Sequence, residues 1–299
     1  NVANSLVGMY ANYSSFSEAW HVVYGLRDHG VVTWNTLIAS YIENGLSDEA
    51  LRCFILMQGE KIPPNQITFV LVFKACGSVG AIKEGHDLHM KMVQQECQID
   101  VDVGNALISM YGQCGLVSRA EDIFNTMLYR NLASWTALIV VYTQNGFNQS
   151  VLECFDNMNS HGVLPANATF TCILKVCGKQ GMTCKGREVH DMIIERGIEN
   201  DLSVGNSLVD MYVNLGSLDE ALFVFDNLLV RDVIPWSSII RGCGINHETG
   251  LAVDLFEAML KDGVKPNSIT FTCLLTACCH GRLVTKGQDY FKMMREEYQ

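Results

Sequence analysis

An all-α fold, a right-handed superhelical solenoid of about nine helix-turn-helix repeats, is predicted for this chain of 299 residues by three observations. The first is a period of 101 residues, kept three times over without an insertion. Trp34, Trp135 and Trp236 fall on it, as do Asn4, Asn105 and Asn206, Tyr10, Tyr111 and Tyr212, and Phe54, Phe155 and Phe256. The second is a pair of apolar stripes in every piece of that period, at steps of three and four. The third is the punctuation between stripes, where Gly, Asn and Pro recur. A period that survives the whole length means a stack of equivalent units, and a stack reads something elongated.

Each period divides into a short piece of about 31 residues and two pieces of about 35, here called standard and long. In the piece opening at Val31, Trp34, Leu37, Ile38 and Tyr41 form the first stripe, and Ala50, Leu51, Phe54 and Met57 the second. These steps place each set on one helix face. Asn44-Gly45, echoed by Asn145-Gly146, separates the stripes as a helix stop, since Gly and Asn tolerate the left-handed conformation. Pro63-Pro64, Pro165 and Pro266 are expected to end the second helix through a missing N–H and a fixed φ. The hairpins so drawn are 1–30, 31–65, 66–100, 101–131, 132–166, 167–201, 202–232, 233–267 and 268–299, one solenoid with 18 helices. The first and last lack their outer edges, so the chain reads as an interior slice of a longer protein.

With 48% hydrophobic residues and 5 Pro, the composition suits a well-packed α-protein. No stretch approaches the 18 or so uninterrupted apolar residues of a membrane span. The 12 Cys and 8 His raise metal or thiol chemistry, yet no Cys-x-x-Cys, His-x-Glu or His-Glu-x-x-His occurs. Cys76, Cys177 and Cys278 repeat inside an apolar stripe and read as buried small hydrophobes. His86 and His89 have ligand-like spacing, but His190 repeats His89 without a partner. Scattered cysteines inside helices fit a reducing compartment better than a disulfide framework. No catalytic residue, metal site, cofactor or small-molecule substrate is expected.

The motif text narrows the family. Val32-Thr33-Trp34-Asn35-Thr36-Leu37-Ile38, Val103 through Tyr111, and Ile269-Thr270-Phe271-Thr272-Cys273-Leu274-Leu275 closely resemble the pentatricopeptide repeat family. Gly162-Val163-Leu164-Pro165 and Gly263-Val264-Lys265-Pro266-Asn267 match its way of ending a repeat. The alternation of lengths resembles its plant-type subclass of short, standard and long triplets. Tetratricopeptide repeats share the Trp34–Tyr41 spacing, but prefer a small residue at Ile38 and lack the triplet alternation.

The resemblance implies sequence-specific binding of single-stranded RNA, one base to each short or standard repeat. In the family the fifth and last residues of a repeat meet the base edge, and an apolar second residue wedges against its face. Such contacts suit a single strand, whose edges and faces are exposed. Carried over, the base-reading pairs are Asn35 with Asn65, Asn105 with Asn131, Thr136 with Ala166, Asn206 with Asp232, and Ser237 with Asn267. The family pattern reads them as pyrimidine, pyrimidine, purine, U and A. An Asp offers only acceptors, which suits the ring N–H of U or G, whereas an Asn also donates. Weaker positions are Asn4 with Gly30, Val70 with Asp100, Thr171 with Asp201, and Thr272. The wedges are Val32, Ala133 and Ile234 in standard repeats and Ile67, Ala168 and Ile269 in long ones, while short repeats place Asp102 or Ser203 there. At Ala166 a side chain is missing, unless Asn167 stands in through a shifted turn.

The same residues admit a plainer role. Asn and Asp before a helix are ordinary N-caps and turn formers. A net charge of −11 and a pI near 5.1 also oppose general phosphate binding, unless the acids lie on outward second helices, as Asp48-Glu49 and Asp219-Glu220 would. The resemblance points to the recognition tract of an organellar RNA-processing factor, mitochondrial or plastid, most often one guiding cytidine-to-uridine editing. Its partners would be RNA, with editing-complex accessory proteins or a deaminase beside it, and no membrane. The alternative is a structural helical-repeat subunit that meets protein within a larger assembly.

Overall fold

The computed structural model describes Met9, Tyr10, His21 and residues 30–94 and 99–298. Among the described residues there are sixteen helices and no strand. The first expected hairpin, with Asn4, lies outside them apart from Met9, Tyr10, His21 and Gly30. Two compact units divide the chain, Asn1–Leu164 and Pro165–Gln299.

In the first unit four hairpins follow one another: α1 (Val31–Glu43) with α2 (Ser47–Gly59), α3 (Gln66–Val79) with α4 (Ile82–Gln94), α5 (Val101–Gln113) with α6 (Val117–Thr126), and α7 (Leu132–Gln144) with α8 (Asn148–Ser160). The second unit holds α9 (Asn167–Gln180) with α10 (Thr183–Glu195), α11 (Leu202–Asn214) with α12 (Leu218–Asn227), α13 (Val233–Ile245) with α14 (Thr249–Lys261), and α15 (Ser268–His280) with α16 (Val284–Glu297). Within each unit the first helices pack on one another, α1 on α3, α3 on α5 and α5 on α7, then α9 on α11, α11 on α13 and α13 on α15. The second helices pack on their own partner and, in most hairpins, on the next first helix.

The apolar stripes form the core that this layering needs. Trp34, Leu37, Ile38, Ala50 and Met57 are completely buried, each large one contributing about 1.5–3 kcal/mol of transfer free energy. Leu51 is half-buried, and Cys53 faces inward beside Phe54 instead. Cys76, Cys177 and Cys278 are buried, and burial pushes the Cys76 thiol up to about 12 and that of Cys177 to about 11. Both therefore stay protonated and inert near neutrality.

The helix stops differ in detail from the sequence reading. At the end of α2, Lys61 takes φ 59° and the Ile62 N–H reaches back to the Met57 carbonyl at 3.2 Å. That six-residue closure ends the helix at Gly59, before Pro63-Pro64 is reached. The prolines occupy the extended connection instead. Lys61 stands where the later copies carry Gly162 and Gly263, both at positive φ.

The described short repeats close on an arginine. α6 and α12 have ten residues, against thirteen or fourteen in the other second helices. Arg130 Nε donates to the Phe124 carbonyl at 2.7 Å and its Nη2 to that of Asn125 at 2.8 Å. Arg231 repeats this on Phe225 and Asp226 at 3.0 and 2.8 Å. Each guanidinium also lies over the phenyl ring, 4.9 and 4.8 Å from its centre. The orphan carbonyls of the truncated helix are thus satisfied by a side chain from the following turn.

Candidate nucleic-acid interface

Residues three and four apart share a helix face, so the second, fifth and ninth residues of each first helix form one row. Val32, Ile67, Ile234 and Ile269 in that row are 58, 61, 53 and 61% exposed. These are large apolar side chains left to solvent by a layer that buries its other stripe, and Ala133 and Ala168 at the same position are exposed as well. Asp102 and Ser203 are exposed in the short repeats.

The last residue of each repeat caps the next first helix. Asn65, Asn131 and Asn267 accept the N–H of Thr68, Ser134 and Thr270 at 3.0, 3.0 and 2.9 Å. The hydroxyl three residues on answers the cap residue's own N–H, completing a capping box. Asp100, Asp201 and Asp232 cap α5, α11 and α13 without that hydroxyl. Ala166 and Gly30 hold the same backbone position with no side-chain bond. Asn167 does not replace Ala166, being already the first residue of α9.

The fifth residues cap nothing; they lie inside the helix, and in three repeats they reach the cap residue directly or through one hydroxyl. Asn35 Nδ2 donates to Asn65 Oδ1 at 3.0 Å, and Thr68 Oγ1 donates to Asn35 Oδ1 at 2.8 Å. Asn206 Nδ2 meets both carboxylate oxygens of Asp232, at 3.3 and 3.5 Å. Ser237 joins Asn267 through Thr270, whose hydroxyl is 2.7 Å from Ser237 and 3.1 Å from Asn267 Oδ1. No hydrogen bond links Asn105 to Asn131. Thr136 is half-buried in α7 of the first unit, and its expected partner Ala166 belongs to the second. In the long repeats Val70 offers no polar atom, and Thr171 and Thr272 turn their hydroxyls onto the carbonyls of Ala168 and Ser268 at 2.8 and 2.7 Å.

Two polar atoms in the row are unanswered. Asn105 Oδ1 and Asn206 Oδ1, 101 residues apart, are buried with no donor among the described residues. A buried acceptor left unpaired costs about 1–3 kcal/mol. Asn105 opens on a cleft of about 540 Å³ between α3 and α5, lined also by Ile67, Val70, Lys74, Asp100 and Met110.

Charge divides by layer. The described first helices carry three acidic residues (Glu43, Asp102, Asp210) and four basic ones (Lys74, Lys175, Lys179, Arg241). The described second helices carry 19 acidic and 10 basic residues. The acidity of the chain therefore resides mainly in the layer away from the row.

Thr68, Ser134 and Thr270, all fully buried, were not singled out from the sequence. Their signal was present as Asn-x-x-Thr or Asn-x-x-Ser across the repeat junction. His86 and His89 share the Tyr111 hydroxyl at 3.2 and 2.9 Å, and no cluster of three metal-ligand residues occurs among the described residues.

Stacked helical hairpins with a patterned row on the first-helix face define an α-helical repeat protein. Models of the PPR repeat family match residues 29–78 and 231–280, a pentatricopeptide repeat domain matches 128–180, and the PPR repeat matches 105–132, 206–233 and 269–298. The chain belongs to the pentatricopeptide repeat family. It is 35% identical over 300 residues to a pentatricopeptide repeat-containing protein of Arabidopsis thaliana, covering 99% of this chain and 50% of that one. A chloroplastic relative from the same plant is 32% identical over 298 residues, with 100% and 37% covered. A mitochondrial one is 30% identical over 317 residues, with 99% and 35% covered. The chain thus spans about half or less of the length of these relatives. The crystal structure of PPR10 from maize shares the fold with a TM-score of 0.68 at 15% identity, over 98% of this chain and 43% of that one. PPR10 in complex with an 18-nt psaJ RNA element gives 0.74 at 15% identity, over 98% and 44%.

Proposed function

We propose that this chain binds single-stranded RNA in a sequence-specific manner, one base to each short or standard repeat, as the recognition tract of an organellar RNA-processing factor. The observation that carries the reading is the row of exposed apolar side chains at the second position of the first helices, Val32, Ile67, Ile234 and Ile269. The fifth residues lie one turn further along the same face, where Asn35 and Asn206 are held against the cap residues Asn65 and Asp232. The near-neutral first-helix layer supports the reading, because a strand laid there meets apolar surface without facing the bulk of the negative charge. Capping and base reading are compatible roles, since a cap carboxylate or amide uses one lone pair on the backbone and retains others.

The base assignments remain pyrimidine for Asn35–Asn65 and Asn105–Asn131, purine for Thr136–Ala166, U for Asn206–Asp232 and A for Ser237–Asn267. Relatives named chloroplastic or mitochondrial support an organellar location, and the triplet lengths support the editing subclass, with accessory proteins or a deaminase as further partners. The chain itself acts as a binding scaffold. Exposed Ile55 and Phe223 on the second helices, 65 and 69% open, favour a protein-contact surface as the second reading. Selection of bound RNA from a random single-stranded pool tests the proposal. Enrichment of a register with U followed by A is expected; a pool that stays random, or a protein that retains none of it, leaves only the scaffold reading.

A further inference from the structure

We propose that the long repeats hold the RNA by its phosphates, through Lys74 and Lys175, where the short and standard repeats hold it by its bases; this rests on the RNA reading above. The two lysines lie 101 residues apart at the ninth position of their first helices, one turn beyond Val70 and Thr171 on the same face. Both are exposed, and neither forms an ion pair or a side-chain hydrogen bond among the described residues. The other cation at this position of a described first helix, Arg241 in α13, is occupied by Asp210. In both repeats the base-reading fifth position is silent, as an alkyl group at Val70 and as a hydroxyl committed to its own helix at Thr171. What remains on that face to meet a nucleotide is an ammonium, a compact charge suited to a phosphate oxygen.

The surrounding acids do not cancel it. Lys74 lines the cleft of about 540 Å³ that also contains Asp100 and Asp102. Asp100 accepts the Val103 N–H at 2.8 Å at the start of α5. The seven steps from Ile67 to Lys74 put the Lys74 Cα about 10 Å further along α3, at 1.5 Å of rise per residue, and no ion pair joins its ammonium to either acid among the described residues. Lys175 has Asp210 at the matching position of the next first helix. That carboxylate is engaged by Arg241 at 2.6 Å and by Asn214 at 3.0 Å. The third long repeat carries Thr276 at this position, its hydroxyl on the Thr272 carbonyl at 2.7 Å, so it lacks the anchor and serves as a blank.

The test uses the 299-residue chain and the RNA it selects from a random pool, with affinity measured across a salt series. Each phosphate contact to a single strand contributes about 0.7 to the slope of log affinity against log salt. Lys74→Gln and Lys175→Gln should each lower the slope by about that amount, weakening all four single-base variants of the RNA alike. Thr276→Lys should raise it by the same step, and Lys261→Gln, at the end of α14, should leave it unchanged. A slope unmoved by both losses and by the gain, or a loss confined to one base, overturns the phosphate role while sparing RNA binding. A wild-type chain that selects no RNA overturns both.

Discussion

The side-chain amide of Asn206 donates to the carboxylate of Asp232 across 26 residues of chain, at 3.3 Å to one oxygen and 3.5 Å to the other. A carboxylate can only accept, so it fixes which end of the amide faces it. Asn206 Oδ1 is consequently turned away, and it is this atom that stays buried without a donor. The pair presents a base with the acceptor carboxylate of Asp232, held in place by the amide before any ligand arrives. In Asn35 the matching oxygen is already answered by the Thr68 hydroxyl.

Replacing Asn206 by Thr should move the preference at this one nucleotide from U to G. The Asp232 acceptor for a ring N–H is retained, while the pyrimidine-type fifth residue becomes the purine-type one. The change should be about 1–3 kcal/mol, the scale of single base-edge contacts. Binding curves for four RNAs differing only at that base decide it. Equal losses on all four would mean that Asn206 serves the fold and reads nothing.

Asn131 separates capping from reading. Its Oδ1 accepts the Ser134 N–H at 3.0 Å, so Asn131→Ala should cost about 1 kcal/mol of stability in a denaturant titration. Asn131→Asp keeps an acceptor at the cap and should leave stability within a few tenths of that of the parent. The same Asp should narrow the base preference of its repeat from pyrimidine to U. If stability follows this order but base preference does not move, Asn131 is a cap alone.

The hairpin fold was legible because its signals are local: apolar residues at steps of three and four, and Asn-Gly between stripes. The interface was legible only in part. That Asn65, Asn131 and Asn267 cap helices followed from an Asn standing just before a helix start, although the Thr or Ser three residues on that completes each capping box went unread. That Asn35 and Asn206 reach the next repeat's cap is tertiary, joining residues 30 and 26 apart, and no periodicity states it. The arginine closures of the short repeats were hidden for another reason. Phe124 and Arg130 are six residues apart, a spacing that is neither a helical nor a turn signal until the chain folds back. The stop at Gly59 was misplaced because proline is a strong breaker in sequence, whereas a left-handed Lys61 is invisible there.

One departure from the period should be correctable. His247 sits at φ 61°, where the two earlier copies have Gly45 and Gly146 at 74° and 79°. A side chain in the left-handed region costs about 1–2 kcal/mol, while glycine costs part of that back through greater unfolded-state freedom. His247→Gly should therefore stabilise the second unit by about 0.5–1 kcal/mol. A thermal or urea midpoint that falls on this substitution would show that the contact of His247 with His280, ring centres 5.7 Å apart, outweighs the strain.

Acid should loosen the hairpins through two half-buried imidazoles. His89 and His190 hold the Tyr111 and Tyr212 hydroxyls at 2.9 and 2.8 Å through Nδ1. Desolvation by burial lowers both histidine pKa values below the ordinary 6.5; for His89 the nearby His86 and Arg119 add to this, and for His190 Asp191 and Glu199 oppose it. The phenols are pushed upward, chiefly by burial, and remain protonated, able to donate to the neutral ring. Because the folded state binds a proton less readily than the unfolded chain, this contribution is complete above pH 6.5. It falls as the pH drops below 6.5 toward the lowered folded values. The melting temperature should hold steady between pH 7 and 8 in respect of these groups and decline below about 6.5. The double variant His89→Gln, His190→Gln should melt lower at pH 7.5 but lose less on moving to pH 5.5. An unchanged acid sensitivity in that variant would assign the decline to carboxylates and refute the imidazole linkage.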